Sequence, residues 1–161
     1  MSHRKTIGLF IESLAGLYHS LIWPGVESVA RERGYNLIVL AGGSLRQSPL
    51  NHFELERNIL YTMMKPSDLD GLIVMGTLKN FTTDSDFRLF LERYSSIPTI
   101  SLNPSLDSIP AVLVDNTSGM HAIISHCIKI HNFKRFAFLE GPSGNSDSEQ
   151  RLSIFREELR Q

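Results

Sequence analysis

The chain has 161 residues, of which 42% are hydrophobic and 20% charged, and this balance excludes a disordered or fibrous protein. The length predicts one domain, or one domain and half of a second. Sixteen basic and 17 acidic residues give a formal net charge of −1, which excludes the strongly basic surface typical of nucleic-acid-binding proteins and membrane-surface helices.

Short apolar runs recur along the chain, and most are continuous, as expected for strands that are covered on both faces. They occupy residues 7–11, 37–40, 72–75, 97–102, 111–114 and 136–139. Apolar residues with helical spacing fill most of the intervals, most clearly from Met120 to His131, whereas the connection from Leu102 to Ala111 has no helical period. The resulting order, β-α-β-α-β-α-β-loop-β-α-β-α, predicts a doubly wound parallel α/β fold.

Turn and capping residues agree with these boundaries. Gly34 is placed to end the first helix before a strand begins at Tyr35. Pro24 predicts that this helix either starts near Ser20 or is kinked there, because proline lacks a backbone N–H. Thr83 followed by Asp86 predicts a capped start of a later helix.

Motifs for catalysis or phosphate binding are absent from the sequence, which has no Walker-type loop, no G-x-G-x-x-G after the first strand and no G-x-S-x-G. His121, His126 and His131 are spaced by five residues, a rotation of about 140° per step on a helix, so we predict that they do not share a metal ion. Cys127 lies on the apolar stripe and is interpreted as a small buried hydrophobic residue. As the only cysteine it also suggests a reducing compartment. We therefore predict no catalytic residue, no metal site and no cofactor.

Polar side chains follow several of the predicted strands, at the edge where open parallel sheets bind ligands. They are Glu12, Ser13, Thr77, Asn103, Asp115 and Asn116. Hydrogen-bonding groups without an obvious nucleophile suit recognition of a polyol or a heterocycle. For Asp115 and Asn116 we favour capping of the helix that follows, and for Asn103 a ligand contact and a structural role stay equally open.

Several ordered motifs resemble the effector domain of LacI/GalR-type regulators. They are Ile7–Ser13, Gly25–Leu37, Asp70–Val74, Val114–Gly119, Lys134–Pro142 and Glu149–Leu159, and the match covers nearly the whole chain. The stretch from Phe53 to Thr77 is more similar still to a subset of these domains that forms the cytoplasmic N-terminal sensor part of larger signalling proteins.

The resemblance implies a periplasmic-binding-protein-like fold of type I, with a ligand held between two lobes. It implies that residues 1–113 form the first lobe, and that residues 114–161 form the crossover and only the beginning of the second lobe. The family's ligand-contacting positions carry over to Ser13, Leu14, Tyr18, Asn103, Val114 and Arg151. Tyr18 and Leu14 offer apolar or stacking walls, although Leu14 and Val114 equally suit a core. Arg151 offers a forked donor near a helix N-terminus, where a ligand or a carboxylate partner is favoured over a merely solvated side chain.

Some positions depart from the family pattern. Ile154 stands where a glycine is usual, and Ile130–Asn132 stands where the family has a glycine–histidine turn. No helix-turn-helix segment precedes Thr6, so we expect no direct nucleic-acid contact by this segment. A strand would be expected after the final helix, so we also expect the segment to be part of a longer chain.

We therefore expect a non-enzymatic, cytoplasmic ligand-sensing module of a bacterial signalling or regulatory protein, with no membrane partner. Its ligand would be a small polar molecule of the sugar or nucleoside kind, and lobe closure would act on a partner or a fused output domain. A homodimer is compatible with the family. One alternative is the effector domain of a LacI-type transcription regulator that lacks its DNA-binding headpiece. Another is a small α/β enzyme with Glu12 or Asp115 as general base, although neither has an identified neighbour that would tune its pKa.

Overall fold

A computed structural model describes residues 4–46, 51–103, 109–141 and 144–160. The chain divides into two compact units, Met1–Val112 and Leu113–Gln161, called the first and the second unit below. No helix in the described part of the chain combines the length and the apolar character needed to cross a membrane.

The first unit is built on a five-stranded sheet in which every neighbouring pair of strands is parallel. The strands are β1 (Thr6–Ile11), β2 (Asn36–Ala41), β3 (Gly71–Met75), β4 (Thr99–Leu102) and β5 (Ala111–Val112). Their order is β2-β1-β3-β4-β5, so the chain moves first to one side of β1 and then to the other. The predicted doubly wound parallel sheet is confirmed, although β5 ends two residues earlier than its apolar run predicts.

The described residues of the first unit form four helices, together with two short 3₁₀ turns at Pro66–Asp68 and Gly76–Lys79. They are α1 (Leu17–Glu32), α2 (His52–Glu56), α3 (Ile59–Met63) and α4 (Asp84–Glu92). Helix α1 begins at Leu17 and continues through Pro24, so the predicted start near Ser20 is wrong; one missing N–H donor does not end a helix of 16 residues. Gly34 follows α1 with φ +69°, which confirms its predicted role at the end of that helix.

The core of the first unit is aromatic on one side of the sheet. Phe10 of β1 is fully buried, and its ring centroid lies 5.1 Å from that of Tyr61 and 5.1 Å from that of Tyr94. Phe87 and Phe90 of α4 complete the cluster, and their rings stack at 6.3 Å. Helix α4 is positioned to contribute them because Thr83 caps it: the Thr83 Oγ1 accepts a hydrogen bond from the Asp86 N–H at 3.2 Å, as the sequence predicts.

In the second unit the described residues form two helices that pack against each other, α5 (Asn116–Lys129) and α6 (Ser146–Glu158). The predicted strand at 136–139 is not formed. The rings of Phe136 and Phe138 pack against Phe155 of α6, with centroids 6.4 and 5.0 Å apart, but no strand of the unit's described residues is available to pair with this segment. An apolar run becomes a strand only where a neighbour accepts and donates its backbone hydrogen bonds.

Candidate functional site

The parallel register brings the carboxyl ends of the strands of the first unit to one edge of the sheet, called the carboxyl edge below. Ile11 at the end of β1 pairs with Ala41 at the end of β2, and Met75 of β3 pairs with Leu102 of β4. The loops that leave this edge are tied to one another: the Gly43 N–H donates to the Glu12 carbonyl at 2.9 Å, and the Leu45 N–H donates to the Leu78 carbonyl at 2.9 Å. Three separate loops therefore share one hydrogen-bonded frame.

The hydroxyl of Tyr61 lies at the centre of this frame. It accepts a hydrogen bond from the Gly42 N–H at 3.1 Å, and it lies 2.9 Å from the Ile11 carbonyl oxygen and 2.7 Å from the Gly43 carbonyl oxygen. Burial raises the pKa of Tyr61 well above its ordinary value, so the hydroxyl stays protonated and able to donate. A Cβ atom at Gly42 would lie only 2.6 Å from Cζ of Tyr61, so residue 42 must be glycine while that ring is in place.

Two residues next to Tyr61 in sequence hold the same loops. Asn58 Nδ2 donates to the carbonyl oxygens of Gly42 and Ser44, at 2.8 and 3.0 Å. Arg57 Nη2 donates to the Ala41 carbonyl oxygen at 3.0 Å. The motif from Arg57 to Tyr61 is visible in the sequence as part of the family resemblance, but its structural role depends on contacts that sequence alone does not show.

Glu12 and Thr77, two of the predicted polar residues, meet at the carboxyl edge around a third residue, His19. The Nε2 atom of His19 lies 3.3 Å from Oγ1 of Thr77 and 3.8 Å from Oε2 of Glu12. His19 reaches this place because α1 begins directly after Gly16, whose φ of +102° turns the chain sharply at the end of the β1 loop. Sequence reasoning missed His19, and its only signal was its place in the first turn of a helix that follows a strand.

The four predicted ligand residues of the first unit all lie at the carboxyl edge. Ser13 Oγ accepts a hydrogen bond from the Ala15 N–H at 3.1 Å and so shapes the β1 loop. Leu14 and Tyr18 are about half exposed, at 47% and 46%, which makes the core alternative for Leu14 wrong. The Tyr18 ring meets His19 edge-on at 5.8 Å. Asn103 follows β4 with φ +46°, and its N–H donates to the Val112 carbonyl oxygen at 3.1 Å.

The predicted ligand residues of the second unit have other surroundings. Val114 is 54% exposed, so the core alternative is wrong for it as well. Arg151 lies on α6, where its Nη1 donates to Oδ1 of Asn116 at 3.2 Å, so its partner in the structure is an amide oxygen rather than a carboxylate. Asn116 is buried and its Nδ2 also donates to Asp147 Oδ1 of α6 at 2.9 Å. The ligand-binding role of all six residues stays a prediction.

Helix capping accounts for one of the two polar residues at the start of α5. The Asp115 carboxylate accepts a hydrogen bond from the Ser118 N–H at 3.0 Å, and this bond lowers the pKa of Asp115. Capping, which the sequence favours, is therefore confirmed for Asp115. Asn116 is not a cap but the first residue of the helix, and it links α5 to α6.

The five-residue spacing predicts that His121, His126 and His131 point in different directions and do not share a metal ion, and the structure separates only His121 from the other two. His121 Nδ1 lies 2.6 Å from Oε1 of Glu158 on α6, away from the other two. His126 and His131, however, lie together, with their Nε2 atoms 3.0 Å apart. The helical rotation does not apply to this pair, because α5 ends at Lys129 and His131 lies beyond it.

Comparison with known proteins finds that the chain is similar to transcription repressors. Over 156 residues the chain is 23% identical to the HTH-type transcriptional repressor PurR of Vibrio atlanticus, and over 157 residues it is 24% identical to the ribose operon repressor of Escherichia coli. These matches include 96% and 97% of this chain but only 43% and 44% of the relatives. The chain thus spans less than half the length of the curated relatives it matches. No protein-family model matches it.

Solved structures agree with the curated relatives. A LacI-family transcriptional regulator from Burkholderia phymatum superposes with a TM-score of 0.74 at 22% identity, over 96% of this chain and 53% of that one. The resemblance to LacI/GalR-type effector domains is confirmed. A further match is a periplasmic binding protein/LacI transcriptional regulator from Alkaliphilus metalliredigens, which was solved in complex with D-xylulofuranose. It superposes with a TM-score of 0.67 at 19% identity, over 97% of this chain and 52% of that one. The periplasmic-binding-protein-like fold class is therefore confirmed as well. These LacI-type relatives are regulators rather than enzymes.

Proposed function

We propose that this chain is the ligand-sensing part of a cytoplasmic LacI-type transcription regulator, and that its ligand is a small polar molecule of the sugar or nucleoside kind. The repressor relatives favour this alternative over the sensor domain of a hybrid signalling protein, which the stretch from Phe53 to Thr77 suggests. The proposal assigns no enzymatic step and no cofactor to the chain.

The observation that carries the proposal is the make-up of the carboxyl edge. A rigid frame around Tyr61 fixes the start of the β1 loop, and half-exposed Leu14 and Tyr18 follow directly from it. A half-exposed aromatic ring suits the face of a sugar or a base, and His19 and Thr77 supply groups that both donate and accept hydrogen bonds to hydroxyls. This combination binds a polyol without offering it a nucleophile.

The second unit takes the role of the second lobe in this proposal. Residues 1–113 would be the first lobe and residues 114–161 the beginning of the second, with Val114 and Arg151 as further ligand contacts. The same proposal includes a homodimer, and it includes a DNA-binding or other output segment elsewhere in the whole protein. Both rest on the similarity to the relatives and not on a contact within this chain.

The test is ligand binding by the full-length native protein. A panel of pentoses, hexoses and nucleosides is screened for thermal stabilisation, and calorimetry then measures the dissociation constant of each compound that stabilises. Asn103→Ala is expected to weaken binding about five- to 150-fold, because it removes a directed hydrogen bond worth about 1–3 kcal/mol. Tyr18→Ala is also expected to weaken binding, because it removes the aromatic face against which the ligand would stack. Leu89→Ala, at an exposed position on α4, is the control and leaves the dissociation constant unchanged. Unchanged affinity in both site variants would reject the site, and turnover of a panel compound would reject the non-enzymatic proposal.

A further inference from the structure

We propose that His126 and His131 form a two-histidine chelating site for a divalent transition-metal ion, Cu(II) or Ni(II), at the carboxyl end of α5. The site lies wholly in the second unit, and neither residue belongs to the ligand site proposed above.

The distance between the two imidazoles suits chelation of one metal ion. Imidazole nitrogens lie about 2.0–2.1 Å from a bound metal, so two of them at a right angle are about 2.9 Å apart, and two at a tetrahedral angle about 3.4 Å. The Nε2 atoms of His126 and His131 are 3.0 Å apart, close to the right-angle value. Neighbouring positions at a right angle occur in square-planar, tetragonal and octahedral coordination, and among the divalent ions that bind imidazole in these geometries nitrogen sites hold Cu(II) most tightly and Ni(II) next.

The backbone at the end of α5 holds the two rings in this arrangement. The His131 N–H lies 3.4 Å from the His126 carbonyl oxygen, and the Phe133 N–H donates to the Cys127 carbonyl oxygen at 3.1 Å. Asn132 between them has φ +54°, the left-handed conformation that reverses the chain after a helix. His131 therefore turns back over the last turn of the helix, toward the side chain of His126.

A third ring restrains the pair. Phe133 stacks on His131 with centroids 5.2 Å apart and an interplanar angle of 21°, while His126 meets His131 at 71°. A stacked imidazole loses less rotational freedom when it binds a metal, and the second nitrogen binds as an intramolecular ligand because both histidines belong to one chain. Both histidines are exposed, which leaves the other coordination positions of the ion to water. In the described part of the chain no third His, Cys, Asp or Glu joins them.

The experiment titrates the 161-residue protein with Cu(II) alone and follows binding by calorimetry and electron paramagnetic resonance. All proteins carry His3→Gln, because in a polypeptide made to start at Met1 a histidine at position three chelates Cu(II) together with the amino terminus and backbone nitrogens. The parent is expected to bind one Cu(II) at this site with two imidazole nitrogens in the spectrum. His126→Gln and His131→Gln are each expected to lower the affinity roughly 100-fold, the lower end of the gain from joining two binding groups, and to leave one nitrogen.

His52→Gln is the matched control, because His52 is an exposed histidine on α2 of the first unit. It leaves the affinity and the nitrogen count of the parent unchanged. Circular dichroism confirms that each variant keeps its helices. Equal affinity of the parent and the two single variants would overturn the proposal, and so would a parent spectrum with only one nitrogen. Neither outcome bears on sugar or nucleoside binding, which depends on other residues.

Discussion

Replacement of Tyr61 by phenylalanine tests whether one buried hydroxyl holds the loops of the carboxyl edge. Tyr61→Phe keeps the ring and its packing against Phe10, so no large cavity forms. It leaves the buried Gly42 N–H without its acceptor and removes the hydroxyl that reaches the carbonyl oxygens of Ile11 and Gly43. An unsatisfied buried donor costs about 1–3 kcal/mol and a lost hydrogen bond about 1 kcal/mol, so we expect a loss of about 2–4 kcal/mol.

Tyr94→Phe is the matched control. Tyr94 is as deeply buried as Tyr61, but its hydroxyl lies 2.6 Å from the carbonyl oxygen of Tyr61 and 3.3 Å from that of Met64. Among the described residues, no backbone N–H donates to it. Removing it leaves no orphaned donor, and we expect a loss of about 0.5–1.5 kcal/mol. The difference between the two losses of unfolding free energy gives the cost of leaving the Gly42 N–H without an acceptor.

Urea unfolding followed by tryptophan fluorescence measures both values. Trp23 is the single tryptophan of the chain and packs against the core of the first unit, so its emission reports on the unit that contains Tyr61. Linear extrapolation gives the free energy of unfolding for each variant. A Tyr61→Phe variant within 0.5 kcal/mol of the parent (roughly the limit of such data), or no less stable than Tyr94→Phe, would refute the argument.

The other predictions concern backbone space, pH and the second unit. Gly42→Ala is expected to destabilise the first unit by about 1–3 kcal/mol or more, since its Cβ would overlap the Tyr61 ring, and a Tyr61→Ala background should remove most of that penalty in a double-mutant cycle. Burial raises the pKa of Tyr61, so its neutral form stabilises the fold at every pH below the unfolded value of about 10, and the urea midpoint should fall above that pH in the parent but less in Tyr61→Phe. The pKa of Asp115 is lowered, so its contribution is present above about pH 4 and lost on acidification; Asp115→Asn should show a smaller loss of α5 helicity on acidification, measured by circular dichroism. If Arg151 contacts a ligand, Arg151→Lys should leave the unfolding midpoint of the helices almost unchanged in the absence of ligand. A clear decrease of that midpoint would show that its hydrogen bond to Asn116 stabilises the fold.

The sequence predicts the sheet well because its strands carry local signals. The apolar runs at 7–11, 37–40 and 72–75 fall within β1, β2 and β3, and their continuous character follows from burial on both faces. The run at 136–139 has the same local character and forms no strand. Strand pairing needs a neighbouring strand, and the amino-acid sequence of the run does not show whether one is present.

The candidate site divides in the same way. The sequence predicts the carboxyl edge because open parallel sheets bind ligands where their strands end, and Ser13, Thr77 and Asn103 do follow strand ends in the structure. The frame beneath it rests on contacts between Tyr61 and residues 19 and 50 positions away, and no periodicity reports such distances. The sequence does not predict the pairing of His126 with His131, because the end of the helix between them is not visible in the spacing. The rotation per residue is fixed only inside a helix, and the end of α5 at Lys129 decides which rule applies.

In the proposed function, the frame around Tyr61 positions the exposed residues that would contact the ligand. Tyr61 lies against the Ile11 carbonyl oxygen, and the Gly43 N–H holds the Glu12 carbonyl oxygen, so the backbone is fixed just before the loop that carries Leu14 and Tyr18. A loop that is rigid before binding loses less conformational entropy when a ligand arrives. Loosening it without touching its exposed side chains should therefore weaken ligand binding. On this argument Tyr61→Phe lowers the affinity for whichever panel compound binds, although its hydroxyl is buried beneath the loop. Tyr94→Phe, whose hydroxyl contacts Tyr61 and Met64 instead, leaves that affinity at the level of the parent, and equal losses in both variants would show that general stability rather than the frame sets the affinity.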